Sequence, residues 1–108
     1  MAQNFRRFAV QATNSAGTIF TSNSNDAVIG IRIANILTAA ITISVWISVG
    51  GSATRYIVKD LSIPPASSIE LIQGGAKFVM QSSDILKVQA SAANAADVYV
   101  SVVDAISA

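Results

Sequence analysis

At 108 residues the chain can enclose one hydrophobic core and is too short for two domains. It is 52% hydrophobic but only 12% charged, about half the charge of an ordinary soluble domain, and its net charge is +1. With no cysteine and no histidine, disulfides, thiolate metal sites, the best soft nucleophile and the commonest general base are excluded together. A surface so poor in repelling charge favours contact between molecules, so the expectation is a life inside an assembly. The alternative is a compact monomer with a Ser/Thr/Asn surface.

In chain order, the residues before Phe5, about 1–4, read as a short arm of the kind that orders on a neighbour. Arg6 and Arg7 are followed by Gln11, Thr13 and Asn14 rather than by an apolar stretch. That is not a secretory signal, and the chain is expected to stay in the cytosol that makes it. Alternation over 5–13 predicts a first strand, closed by the turn residues Asn14, Ser15, Ala16 and Gly17. A short strand over 18–21 leads into a polar loop at 22–26, whose Ser, Asn and Asp side chains suit bonding to their own backbone. Ile29, Ile31 and Ile33 then fall on one face, with Val28, Gly30, Arg32 and Ala34 on the other.

The uncharged run 35–51 approaches the length of a membrane span. Its period refuses one: Ile41, Ile43, Val45, Ile47 and Val49 alternate with Thr42, Ser44, Trp46 and Ser48, which is strand spacing. No membrane association is expected. Gly50, Gly51 and Ser52 predict a hairpin into a strand over 55–61, closed by Pro64 and Pro65. A short strand over 67–72, a Gly74-Gly75 turn, and strands over 77–80, 85–90 and 97–103 complete the chain. Eight or nine short strands with a turn every ten residues or so are the grammar of a sandwich or barrel. The expected core is Ile29, Ile31, Ile33, Ile41, Ile43, Val45, Ile47, Ile57, Leu71, Leu86, Val88, Val98, Val100 and Val102.

Little chemistry is left to such a chain. Asp26, Asp60, Glu70, Asp84, Asp97 and Asp104 are scattered, mostly at predicted turns or strand ends, and read as caps or solvated groups rather than a catalytic pair. No G-x-S-x-G elbow, phosphate-binding loop or calcium loop occurs, and Gly74-Gly75 with Lys77 reads as a turn and an exposed charge. No catalytic residue, cofactor or metal is therefore assigned, and no enzymatic activity is expected. Arg6 and Arg7 would neutralise only about two phosphates, too few for a nucleic-acid partner. They suit pairing with acidic groups on a neighbouring subunit, the alternative being a solvated tail.

Trp46 shares its face with Thr42, Ser44 and Ser48, opposite the aliphatic row, and Tyr99 sits beside Ser101, opposite Val98, Val100 and Val102. Large aromatics on small polar faces serve subunit contacts and sugar-stacking platforms alike. The alternative for Trp46 is a second core on a strand buried on both faces. The subunit-contact candidates are thus Trp46, Tyr99, Arg6, Arg7 and Arg32.

The run 55–72 (RYIVKDLSIPPASSIELI), the glycine pair 74–75, the segment Ser83-Asp84-Ile85-Leu86-Lys87-Val88 and the final Asp97-Val98-Tyr99-Val100-Ser101 resemble small virion structural proteins of tailed bacteriophages. In that pattern a strand, an "IPxGSS"-like turn, a short strand, a glycine pair and a "GDxLxV"-like hairpin precede the last strand. The segment 29–35 also fits, so the resemblance covers most of the chain. Two departures concern turn geometry: Pro65 stands where a small turn residue would be comfortable, and Ser83 where glycine precedes the aspartate. The resemblance implies an all-β chain, an antiparallel β-sandwich of about eight strands, jelly-roll-like or immunoglobulin-like. It further implies a non-enzymatic virion subunit, such as a capsid decoration (cement) protein or a neck- or tail-associated component, with other virion subunits and further copies of itself as partners. Trp46→Ala is expected to weaken assembly and leave the circular dichroism of the domain unchanged. The runner-up is a glycan- or receptor-binding module using Trp46, Tyr56 or Tyr99 as stacking surfaces, ranked lower because few charged or amide groups accompany those aromatics and sugar recognition normally wants such partners.

Overall fold

The computed structural model describes residues 4–72 and 78–104, and these form nine strands without a helix. They are β1 (Asn4–Ala12), β2 (Gly17–Thr21), β3 (Asp26–Asn35), β4 (Ile41–Val49), β5 (Ala53–Ile63), β6 (Ser68–Glu70), β7 (Phe78–Met80), β8 (Ile85–Ala90) and β9 (Ala96–Asp104). No helix of the described residues is long and apolar enough to cross a membrane. The glycine pair 74–75 and Lys77 lie outside the described residues, as do residues 1–3 of the expected arm. Asn4 already pairs with Asp104 as the first residue of β1.

The strands lie in two antiparallel sheets. Sheet A has the order β1-β9-β3-β6, with β7 also on the free side of β3, and sheet B the order β2-β8-β4-β5. Because β6 pairs with 32–34 of β3 and β7 with 26–28, the two short strands share one edge position. Eight strand positions result, and among the described residues only β4 and β5 are consecutive hairpin partners within a sheet. Every other connection that joins strands of different pairs crosses from one sheet to the other, which makes the sandwich a jelly roll rather than an immunoglobulin-like fold or a closed barrel.

Alternation explains the core. Inward residues of β3 and β9 (Val28, Ile31, Ile33, Val98, Val100, Val102) meet those of β4 and β8 (Ile41, Ile43, Val45, Leu86, Val88), all at most 3% exposed. β-Branched side chains suit such a pleated, two-layer interior. Phe8 of β1 and Phe20 of β2 stack across the sheets, with ring centroids 4.3 Å apart and planes 7° from parallel. Phe20, Ile63 and Met80 belong to this core without having been expected there.

Ile29 does not. It is 37% exposed because β3 carries a bulge between Val28 and Gly30, one extra residue that breaks the period of two. Ile47, Ile57 and Leu71 pack against the core but are only partly buried. The segment 67–72 yields a strand of just three residues, since the Glu70 carboxylate replaces a ladder partner: it accepts hydrogen bonds from the Ile31 amide at 2.7 Å and the Ile72 amide at 3.2 Å. Behind the 64–67 turn, buried Asn35 places its amide nitrogen 3.0–3.1 Å from the carbonyls of Ala39, Ile63 and Pro64, and its Oδ1 accepts from the Leu37 amide.

Both departures from the virion pattern sit beside left-handed backbone. The turn with Pro65 places Ala66 at φ 58°, and Ser83 itself has φ 78°. These are conformations that glycine takes without a steric penalty.

Candidate functional site

Two outward faces and one end of the sandwich gather the polar and aromatic residues. On sheet A, pairing of Phe5 with Val103, of Val103 with Ala27 and of Ala27 with Val79 sets a single outward row across all four strand positions. Phe5 is 82% exposed and Val79 56%, whereas Val103 is half-buried and Ala27 buried, and the bulge leaves Ile29 beside them. A row of apolar side chains running from one sheet edge to the other is the kind of surface that marks a contact site.

The next rows of this face carry Arg7 opposite Ser101, then Ala9, Tyr99, Arg32 and Glu70 in register, then Gln11 and Asp97. Tyr99 is about half exposed, and Arg32 Nε lies 3.9 Å from Glu70 with most of the arginine in solvent. The structure therefore brings together three of the contact candidates, Arg7, Arg32 and Tyr99, and adds Phe5, Val79 and Val103.

Arg6 has the opposite parity. Its guanidinium lies 4.9 Å from the Phe8 ring centroid and 3.4 Å from Asp104 Oδ2, at the end of the sandwich. There the Ser24 hydroxyl lies 2.9 Å from both Asp26 Oδ1 and Asp104 Oδ1, and the Ser22 hydroxyl donates to Asp26 Oδ2 at 2.8 Å. The expectation of scattered carboxylates is corrected here: two residues 78 positions apart share one network. The hydrogen bond with the Asp26 carboxyl, then the one from Ser24, hold Asp104 below the usual carboxylate range. Burial opposes this and the Arg6 charge reinforces it. Asp26 is 2% exposed, so a substrate cannot reach it, and the pair reads as a structural tie. Asp84 caps its turn, accepting from the Gly50 and Gln81 amides at 2.9 and 3.0 Å.

Trp46 lies on the outer face of sheet B and yet is only 9% exposed. Tyr56, its cross-strand partner, leans over it with centroids 5.7 Å apart at 53°. Two bulges in the β4–β5 ladder, after Ile43 and after Val45, each place an extra residue on β5. Beside them lies a cleft of about 320 Å³ lined by Thr42, Ser44, Trp46, Tyr56, Lys59, Asp60, Gln89 and Ser91 among others. Lys59 holds its ammonium 5.3 Å from the Tyr56 ring centroid. Asp60 takes φ 53°, with its amide donating to Ser44 Oγ at 3.0 Å. Among the described residues no group of three or more His, Cys, Asp or Glu converges on a possible metal position.

The exposed parity of Phe5 was readable in sequence, since Phe8 and Val10 of the same strand claim the core. Its row-mates were not, because they come from three distant segments.

No protein-family model matches the chain, and no curated protein matches it by sequence. Solved structures do match it as folds. A chain of the acid-stable capsid of Helicobacter pylori bacteriophage KHP30 aligns with TM-score 0.61 and 11% identity, over 95% of this chain and 87% of that one. A chain of the infectious bursal disease virus particle aligns with TM-score 0.58 and 11% identity, over 95% of this chain but 31% of that one. A chain of the Bacillus endospore appendages, disulfide-linked pili, aligns with TM-score 0.56 and 16% identity, over 98% of this chain and 88% of that one. What this chain shares with them is the all-β fold.

Proposed function

We propose that the chain is a non-enzymatic structural subunit of a virus particle of the tailed-phage kind, a capsid decoration (cement) protein whose copies join through the outer face of sheet A. The observation that carries this reading is the outward apolar row of Phe5, Val103, Ala27 and Val79, in which Phe5 and Val79 stand exposed at the two edges, Val103 is half-buried and Ala27 is buried, on a chain with little charge to repel a neighbour. The same face holds Arg7 and Arg32 with Glu70 and Asp97, a balance of signs that suits a second copy better than a strongly charged partner.

Four strand positions about 4.8 Å apart and nine residues at about 3.3 Å span roughly 19 by 30 Å, about 570 Å² in projection. A standard joint takes about 800 Å² from each partner, so this face alone makes a joint somewhat below standard size. The fold neighbours support the particle reading, since two come from virus particles and one from a pilus. Disulfide linkage is not open to a chain without cysteine, so its joints would rest on burial. The protein would be made in the host cytoplasm and end in the virion.

Immunogold labelling of intact particles, with antibodies against the recombinant chain, tests the assignment. Label spread over heads is expected. Label confined to neck or tail would make the chain a connector or tail component, and particles without label, with epitope access verified, would overturn the virion role.

A further inference from the structure

We propose that the cleft on the outer face of sheet B binds a neutral saccharide. This site is separate from the contact face of sheet A, and the proposal does not depend on it.

The cleft is built rather than incidental. Its floor is the row of small hydroxyl side chains Thr42 and Ser44 on central strand β4, and its outer wall is the doubly bulged edge of β5. Bulges re-aim side chains, and here they turn Lys59 and Asp60 toward the cleft. Asp60 takes left-handed backbone as one of the two β5 residues of the first bulge, and the Ser44 hydroxyl holds it there by accepting its amide.

The lining specifies the ligand class. Tyr56 offers a half-exposed ring fixed from behind by Trp46, which suits the C–H face of a sugar ring. The Lys59 ammonium now rests near that ring and would swing aside to donate to a ligand oxygen. Asp60 supplies a carboxylate acceptor for paired hydroxyls, and Gln89, whose Nε2 donates to the Asn14 carbonyl at 2.9 Å, adds its Oε1 as a further acceptor. One cation and one anion cancel, so neither an anionic nor a cationic ligand is selected, and the hydroxyl-lined floor does not suit an apolar one. About 320 Å³ is at the low end of small-molecule sites, which run from about 300 to 1,000 Å³. Lys59 and Asp60 follow Tyr56 closely in sequence, and the fold adds Gln89 from β8 to them.

Trp46 is the chain's one tryptophan and lies against Tyr56, so its fluorescence reports occupancy. The folded protein is titrated separately with maltotriose, cellotriose and chitotriose, and with a heparin disaccharide as the anionic probe. A saturable change with at least one neutral trisaccharide is expected, weakened about tenfold or more by Asp60→Asn, which removes a charge-assisted hydrogen bond. Asparagine tolerates left-handed backbone as aspartate does, so that variant keeps its melting temperature. Tyr56→Ala should weaken the same sugar, and Phe5→Asp should leave it unchanged. Flat titrations with all three neutral probes, tighter binding of the heparin disaccharide, or wild-type affinity in both cleft variants would overturn the proposal.

Discussion

The two outer faces of this sandwich treat their aromatics in opposite ways. On sheet A, Phe5 and Tyr99 stand open, 82% and 48% exposed, on two outward rows with the Arg7–Ser101 row between them. On sheet B, Trp46 is covered by Tyr56, and the polar groups around it form a cleft instead of a plane. The difference comes from the ladders. The β1–β9 pairing is regular over nine residue pairs and the β3–β9 pairing carries a single bulge, at Ile29, whereas the β4–β5 pairing carries two, which place extra residues on edge strand β5. An open face with an apolar row suits a protein surface, and a polar cleft suits a small ligand. The indole is therefore a poor handle for a subunit unless Tyr56 first moves, and Trp46→Ala should cost stability as well as any contact.

The comparison can be broken by substitution. The largest effect separates an inward from an outward phenylalanine: Phe20→Ala, which removes half of the ring stack between the sheets, should cost about 3–5 kcal/mol in chemical denaturation. Phe5→Ala, on the open face, should cost under about 0.5 kcal/mol and act on association alone. Equal losses would mean that Phe5 is part of the fold's own packing.

A smaller effect follows from the end network beneath the apolar row. Asp104 is held below its unfolded value, so its contribution is complete above the unfolded aspartate pKa of about 3.9 and is lost as pH falls through the lower folded value. The melting temperature should hold from neutral pH to about 4 and drop below it, and Asp104→Asn should flatten that drop. A decline beginning near neutral pH would contradict this assignment. The smallest effect is a gain: Ser83→Gly relieves left-handed backbone at φ 78° and should stabilise by about 1 kcal/mol in thermal melts, with both faces unaltered.

Much of the fold was legible because alternation is strict where strands are long. The parity of Trp46 against Ile43 and Val45, and of Tyr99 against Val98 and Val100, followed from period two alone. Ile29 and the Lys59-Asp60 pair were misplaced or overlooked because a bulge leaves no mark in composition: one extra residue changes the face, and only the partner strand determines where it goes. The Asp26–Asp104 network and the Phe5–Val103–Ala27–Val79 row were illegible for another reason, since each joins segments whose adjacency exists only through the crossed topology. The departures from the virion pattern at Pro65 and Ser83 left the geometry of two turns open, and the structure gives left-handed backbone at Ala66 and Ser83.

Sedimentation velocity of the folded wild-type chain beside Phe5→Asp, over a concentration series, tests most directly whether the outer face of sheet A joins copies. The wild type should shift to dimers or larger species with rising concentration, while Phe5→Asp remains monomeric with an unchanged melting temperature. A wild type that stays monomeric throughout, or a variant that associates equally well, would contradict the account.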